Sequence, residues 1–271
     1  RIEDEEPWWE PGSRNGYHLI NIGWTVGEVV RRVSGLSLGT FFAREVAAPL
    51  GLDFWIGLPE DKEAQVIDVD PFLPGQYWTL VDDPLPKLVV EDPGHPAAVA
   101  ITNMGEFIAY DPETGDYGAN SRLVKGAEIG GAGGVTNARG LAGMYDPLAT
   151  GGGSLVSADH VWKMSQVSMA SHQDPILRIP TRFALGYMKA MDNRRWWGPD
   201  FQTLLIGDRA FGHVGAGGSL GMADPGCGLS FGYTMNRMGP GSLLNPRGQA
   251  LVDATYRKLG YRSSASGIWA R

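Results

Sequence analysis

The sequence is nearly devoid of cysteine. Cys227 stands alone among 271 residues, so no disulfide can close within the chain and the fold must be held by packing. Histidine is scarce too: the five present show no H-x-H or H-E-x-x-H spacing, and neither a metal site nor a cofactor is expected. No apolar run approaches the ~20 residues of a membrane span, and no signal peptide is visible. There is no block of like charge. The net charge of −7 is spread along the chain, and Arg31-Arg32 and Arg194-Arg195 are too short to form a basic face. Nucleic acid and anionic membrane are therefore excluded as expected partners. No internal repeat occurs at any useful period. What remains is an ordinary globular protein, expected in the cytoplasm and acting on a small molecule.

With 43% hydrophobic and 20% charged residues, the chain has ample core for one large domain. Thirty-nine glycines and 18 prolines call for many tight turns. Tyr17 to Gly35 reads as a helix, with Ile22, Val26, Val29, Val30 and Val33 at helical spacing and Gly35 as C-cap. A second helix is expected from Leu38 to Leu50. Residues 59–120 form a long Pro-, Gly- and Asp-rich connection with short helices. Thr136 or Asn137 caps one further helix and Ser157 another. From Arg182, Ala210 and Gly228 onward, alternating apolar residues read as adjacent antiparallel strands, and Gln249–Leu259 as a helix packed on them. The expected fold class is α+β. Residues 36–180 form a mostly helical subdomain, and residues 181–271 hold the sheet and the C-terminal helix. Cys227, between Gly226 and Gly228, reads as a turn thiol without a catalytic task.

Gly217-Gly218-Ser219-Leu220-Gly221 matches G-x-S-x-G literally. A nucleophile elbow needs a strand, a sharp turn and then a helix. Here Asp224-Pro225-Gly226 makes a turn and a strand follows, and no histidine lies beyond His213. The predicted context is strand–loop–strand, which argues against Ser219 as a nucleophile.

The same loop is similar to something else. His213-Val214-Gly215 resembles the third motif, K-T-G or a substitute, of the serine β-lactamase and penicillin-binding-protein superfamily. The stretch from Pro7 through Tyr17 to Gly35 resembles the tyrosine motif and its following helix, and Thr136–Met164 resembles a later helix–loop segment. The resemblance covers most of the chain in the expected order, and is nearest to class C β-lactamases and family VIII carboxylesterases. It implies a β-lactamase-like fold, an antiparallel sheet flanked by helices, and acyl transfer to a serine and then to water. Two departures matter. Leu19 stands where the tyrosine motif usually ends in Asn, which favours ester over β-lactam hydrolysis. No Ser-x-x-Lys occurs anywhere, and the sixteen residues before Tyr17 cannot hold it. The nucleophile is therefore expected on an N-terminal segment or partner chain outside this sequence, the fragment alone is expected to be inactive, and a sheet edge should stand unpaired.

The resemblance implies Tyr17 as general base. An ordinary phenol has a pKa of ~10, so a nearby positive charge is needed, from the missing Lys or from a protonated His213. His213 could equally position the tyrosine, contact a substrate carboxylate or fill space. Gly215 would admit the substrate close to the backbone, the Ala216 amide would be an oxyanion donor, and His18 and Gly217 would complete the substrate-binding set. The pairs Trp8-Trp9 and Trp196-Trp197 suggest an apolar acyl pocket, or simply packing. The expected function is a serine-dependent esterase on a small ester. Alternatives are a β-lactamase or D,D-peptidase of the same fold, and a non-catalytic scaffold.

Overall fold

The structure, a computed structural model, describes residues 2–72, 84–195 and 202–271. In chain order it contains helices α1 (Asn21–Ser34), α2 (Leu38–Phe42) and α3 (Ala48–Leu50), strand β1 (Phe54–Ile56), helices α4 (Pro84–Glu91), α5 (Pro96–Thr102) and α6 (Arg122–Gly126), and strand β2 (Gly134–Thr136). Helices α7 (Ala138–Ala149) and α8 (Ala158–Ser165) follow, then β3 (Met169–Ser171), β4 (Thr181–Phe183), β5 (Phe211–Val214), β6 (Leu220–Asp224), β7 (Leu229–Tyr233) and α9 (Pro246–Lys258). No helix among the described residues is long and apolar enough to cross a membrane.

Helix α1 begins four residues later than the periodicity suggests. Leu19 has φ 47°, a left-handed conformation that a right-handed helix cannot propagate, so Tyr17 and His18 stay outside. The far end matches expectation: Gly35 takes φ 73° and its N–H donates to the Arg31 carbonyl at 2.9 Å. The Leu38–Leu50 segment stays helical throughout, with a π turn over Ala43–Ala47 between α2 and α3. Asn137 and Ser157 cap α7 and α8, accepting from the amides of Gly140 and His160. The apolar stripe of α1 is another matter. Gly23 lies against the backbone of Gly130 and Gly131, but Ile22, Val26, Val29 and Val33 face outward, Val33 at 80% exposure.

The alternation predicts the strands that follow Ala210 and Gly228 to be neighbours. The structure inserts β6 between them, giving the antiparallel order β5-β6-β7. Leu220–Asp224 hides its strand character because two of its five residues, Gly221 and Asp224, are poor strand formers. All five are buried, which is the mark of a central strand. Two bridges through Met188, to Phe183 and to Gly212, link the β3–β4 ladder to β5. No strand pairs with the outer edge of β7 among the described residues.

The sheet buries both faces. On one, Val214, Leu220 and Met222 pack with Val252 and Tyr256 of α9, which is the helix-on-sheet contact expected for the C-terminal helix. Buried Tyr256 donates to Asp224 Oδ2 at 2.8 Å and accepts the Gly207 amide at 2.8 Å, so the polar end of this core is satisfied. On the other face, Tyr145 and Leu148 of α7 pack with Phe211 and Ala223. Here the cross-strand pair Gly221–Gly232 sets the spacing. A Cβ at Gly221 would strike Tyr145 and Leu141, and one at Gly232 would strike the backbone of Ala138 and Ala142. A cavity of ≈ 470 Å³ lies farther along α7, lined by Phe41, Phe42, Val46, Met144, Leu155 and Tyr187 among others; Tyr17 and His213 do not border it.

The close approach of α7 to the sheet yields a prediction. Gly232→Val meets helix backbone rather than a flexible side chain, so it should destabilise by about 1–3 kcal/mol. Urea unfolding measures this, and Val at exposed Ala216 in the β5–β6 turn serves as the control expected to stay near wild type.

Candidate active site

Tyr17 and His213 are 196 residues apart and meet. Tyr17 is delivered by the extended chain ahead of α1, His213 by the α7-facing side of β5. Tyr17 Oη lies 3.4 Å from His213 Nε2, and their rings stack at 5.9 Å and 26°. Phe183 of β4 stacks on the same tyrosine at 6.0 Å and 22°.

The protonation pattern follows from the surroundings. His213 Nδ1 is 2.6 Å from the Val214 carbonyl, a contact only a protonated Nδ1 can make. Burial disfavours the charged ring and lowers its pKa below the ordinary 6.5. His213 is thus a neutral imidazole with a lone pair at Nε2, aimed at the Tyr17 hydroxyl. Burial first, and the negative Asp174 second, push Tyr17 up to about 12. Of the two sources of positive charge the resemblance offered, the missing Lys and a protonated His213, burial disfavours the second. Tyr17 is a phenol whose O–H can donate to Nε2.

The β5–β6 connection is a tight turn closed by Gly215 N–H to the Ser219 carbonyl at 2.8 Å and Gly218 N–H to the Gly215 carbonyl at 3.0 Å. Ser219 leads straight into β6, and its Oγ folds against Gly215. There is no helix here to make a nucleophile elbow. Ala216 is exposed at the tip. Gly217, with φ 83°, is buried beside Met235 and Met238, and its carbonyl accepts from Asn245 Nδ2 at 2.8 Å. It shapes the turn from inside, which is not the open substrate contact expected of it. His18 is exposed, and its carbonyl accepts the Asn21 amide at 3.0 Å as α1 opens. Trp9 and Pro175 both lie against Gly16, the residue before Tyr17, with Arg14 stacked 5.4 Å from the Trp9 ring centroid, while Trp8 is half exposed. Trp196 and Trp197 lie outside the described residues. His95 and His160 act locally, His95 Nδ1 capping α5 and His160 bonding Ser157. Burial raises the Cys227 thiol, in keeping with a turn residue. Among the described residues, no three His, Cys, Asp or Glu side chains gather as a metal site.

Sequence reasoning missed two residues here. Phe183 carried no signal beyond strand alternation. Asp174 did carry one: Asp followed by Pro175 is an Asx-turn signature, and its carboxylate indeed accepts the Ile176 and Leu177 amides at 2.8 and 3.0 Å. What could not be foreseen is that the same oxygen also accepts the Tyr17 amide.

Comparison with known proteins identifies relatives of the chain as a whole. The chain is 28% identical over 241 residues to "Esterase/beta-lactamase LipL" of Mycobacterium tuberculosis (strain ATCC 25618 / H37Rv), covering 83% of this chain and 49% of that protein. A family VIII carboxylesterase crystal structure matches with a TM-score of 0.69 and 32% identity, over 93% of this chain and 61% of the other. A penicillin-binding-protein homologue from Caulobacter crescentus matches with a TM-score of 0.69 and 29% identity, with the same coverage. The chain thus spans about half the length of the curated relative and under two thirds of the solved ones. The Beta-lactamase family model matches residues 1–255. With its mixed helices and antiparallel sheet, the chain belongs to the β-lactamase family.

Proposed function

We propose that this chain carries the proton-transfer and oxyanion half of a serine-dependent ester hydrolase, and that the nucleophilic serine comes from polypeptide outside these residues. The observation that carries the reading is the 3.4 Å approach of Tyr17 Oη to a His213 whose Nδ1 is already committed to Val214. Relatives whose names include an esterase/beta-lactamase and a family VIII carboxylesterase support the ester class. Outward-facing Ile22, Val26, Val29 and Val33, and the β7 edge that no strand among the described residues pairs with, are surfaces against which further polypeptide could pack.

The chemistry runs without a free phenolate. The serine hydroxyl gives its proton to the Tyr17 oxygen as the Tyr17 proton moves to His213 Nε2. The serine oxygen bonds to the ester carbonyl carbon, and the resulting oxyanion takes a hydrogen bond from the exposed Ala216 N–H. Gly215, lacking a side chain, leaves room there for the Ser219 hydroxyl, which folds against it. Collapse breaks the bond to the alcohol oxygen, which recovers the proton from His213 through Tyr17. Water repeats the cycle on the acyl-serine and releases the acid. A positioned proton-transfer group contributes about 10²–10⁴-fold, and an oxyanion donor removed by mutation costs about 3–4 kcal/mol. Leu19 offers no amide for a substrate carboxamide, so esters are preferred over β-lactams in this reading. Fluorophosphonate labelling of the natural full-length protein separates the hydrolase from a scaffold, for which no label would appear.

In the full-length protein, Tyr17→Phe should lower kcat for p-nitrophenyl butyrate by about 10²-fold or more. Unchanged turnover would remove Tyr17 from the mechanism. The pH profile checks the partner. Neutral His213 is the proton acceptor and its pKa lies below 6.5, so kcat/KM should hold steady downward through pH 6.5 and fall only at more acid pH. An acid limb centred above 6.5 would show that His213 does not act as the acceptor. Tyr17 makes a stability statement of its own. Its proton is held more tightly folded than unfolded, so stability should decline as pH rises from 10 to about 12, and Tyr17→Phe should flatten that decline.

A further inference from the structure

Asp174 stands in the β3–β4 connection, far in sequence from anything assigned a chemical task. It is completely buried, a rare place for a carboxylate. Oδ1 collects three backbone donors: Ile176 N at 2.8 Å, Leu177 N at 3.0 Å and Tyr17 N at 3.3 Å. Two of these fold its own loop. The third reaches 157 residues away to the backbone of the tyrosine that faces His213. Oδ2 is buried with no hydrogen-bond partner among the described residues. A loop that needed only an Asx turn would be served as well by Asn, whose amide makes the same acceptor bonds without burying a charge. The loop is further braced by Asp174 N–H to the Ile179 carbonyl at 2.8 Å and Arg178 N–H to the Asp174 carbonyl at 2.9 Å.

We infer that Asp174 is a positioning residue that pins the Tyr17 backbone to the β3–β4 loop and so fixes the phenol on His213. This rests on the proposed role of Tyr17. The anchor is backbone-directed, and the carboxylate does not touch the reacting atoms. It acts by holding the residue before α1 against β4, where Phe183 stacks on the same ring. Its carboxylate has a second effect. Burial first, and Asp174 second, raise the Tyr17 pKa and keep the phenol protonated, ready to hand its proton to Nε2 and take one from the nucleophile in the same event.

The test uses the full-length protein with 13C-labelled tyrosine, the Tyr17 resonance being assigned by its loss in Tyr17→Phe. Asp174→Asn keeps the acceptor oxygen and removes the charge. The Tyr17 titration should move to lower pH by about one unit, with kcat kept within a few-fold. Asp174→Ala removes the anchor. It should lower kcat at least about tenfold with KM nearly unchanged, as expected for lost orientation rather than lost binding, and Asn at the same position should restore most of kcat. A folded Asp174→Ala with wild-type kcat overturns the inference. If Asp174→Ala does not fold, Asp174→Ser, whose shorter side chain can still cap its own loop but withdraws from the Tyr17 amide, decides by the same kcat and KM readout. The Tyr17 13C chemical shift, which senses the stacked His213 and Phe183 rings, should move in these anchor variants, and it reports placement without turnover. A moved shift with full activity in Tyr17→Phe would sink the proposed mechanism and leave the anchor standing.

Discussion

The site depends on one act of desolvation. In water, a tyrosine beside a histidine is two weakly coupled groups. Here burial raises one pKa and lowers the other, so it favours the neutral form of both groups. The Nδ1 contact with Val214 then fixes which imidazole nitrogen carries the proton, and with it the direction in which a proton can move. Had His213 been solvated it would gain a proton near pH 6.5 and repel the one it is meant to receive. A protonated His213 was one option that the resemblance left open; burial, which composition does not report, weighs against it.

That packing is set by the sheet. His213 lies on the α7-facing side of β5, two residues from Phe211, which is completely buried against Tyr145 and Tyr187. Helix α7 reaches β6 and β7 because Gly221 and Gly232, opposite each other in register, present no side chain to it. A glycine pair thus lets the helix close over one face, while the α9 face is sealed by Tyr256 and its bonds to Asp224 and Gly207. Buried on both faces, the strand holds the imidazole in one orientation, and so a single Tyr17 position can serve it.

Much of this was legible. Gly35, Asn137 and Ser157 are residues whose side chain, or lack of one, decides a helix end, and each sits where its chemistry implied. The absence of a helix after Ser219 could likewise be read from Asp224-Pro225-Gly226. Strand β6 was not legible, because its identity comes from being covered on both sides rather than from its own residues. The stripe on α1 shows the converse. Its spacing predicted a helix correctly but did not say what covers the stripe, and among the described residues four of its members face outward. Bringing Tyr17 to His213 was suggested by resemblance. The Asp174 anchor was suggested by nothing, since a hydrogen bond to a backbone amide leaves no mark on the sequence of its partner.

The distribution of backbone strain follows the same logic. Among the described residues, the non-glycine positions with positive φ are Leu19 at 47° and Arg178 at 62°. Each costs on the order of 1–2 kcal/mol in a conformation that L-residues avoid. They sit on the two segments that Asp174 ties together: Leu19 two residues after Tyr17, Arg178 at the end of the loop that donates to the Asp174 carbonyl. The left-handed turn at Leu19 lets the chain leave Tyr17 and enter α1 within four residues, and the one at Arg178 folds the loop back so that its carboxylate meets the Tyr17 amide. Three amide hydrogen bonds to one buried oxygen hold both segments in these conformations. Strain and anchor therefore belong to one device, whose product is the placement of a single phenol.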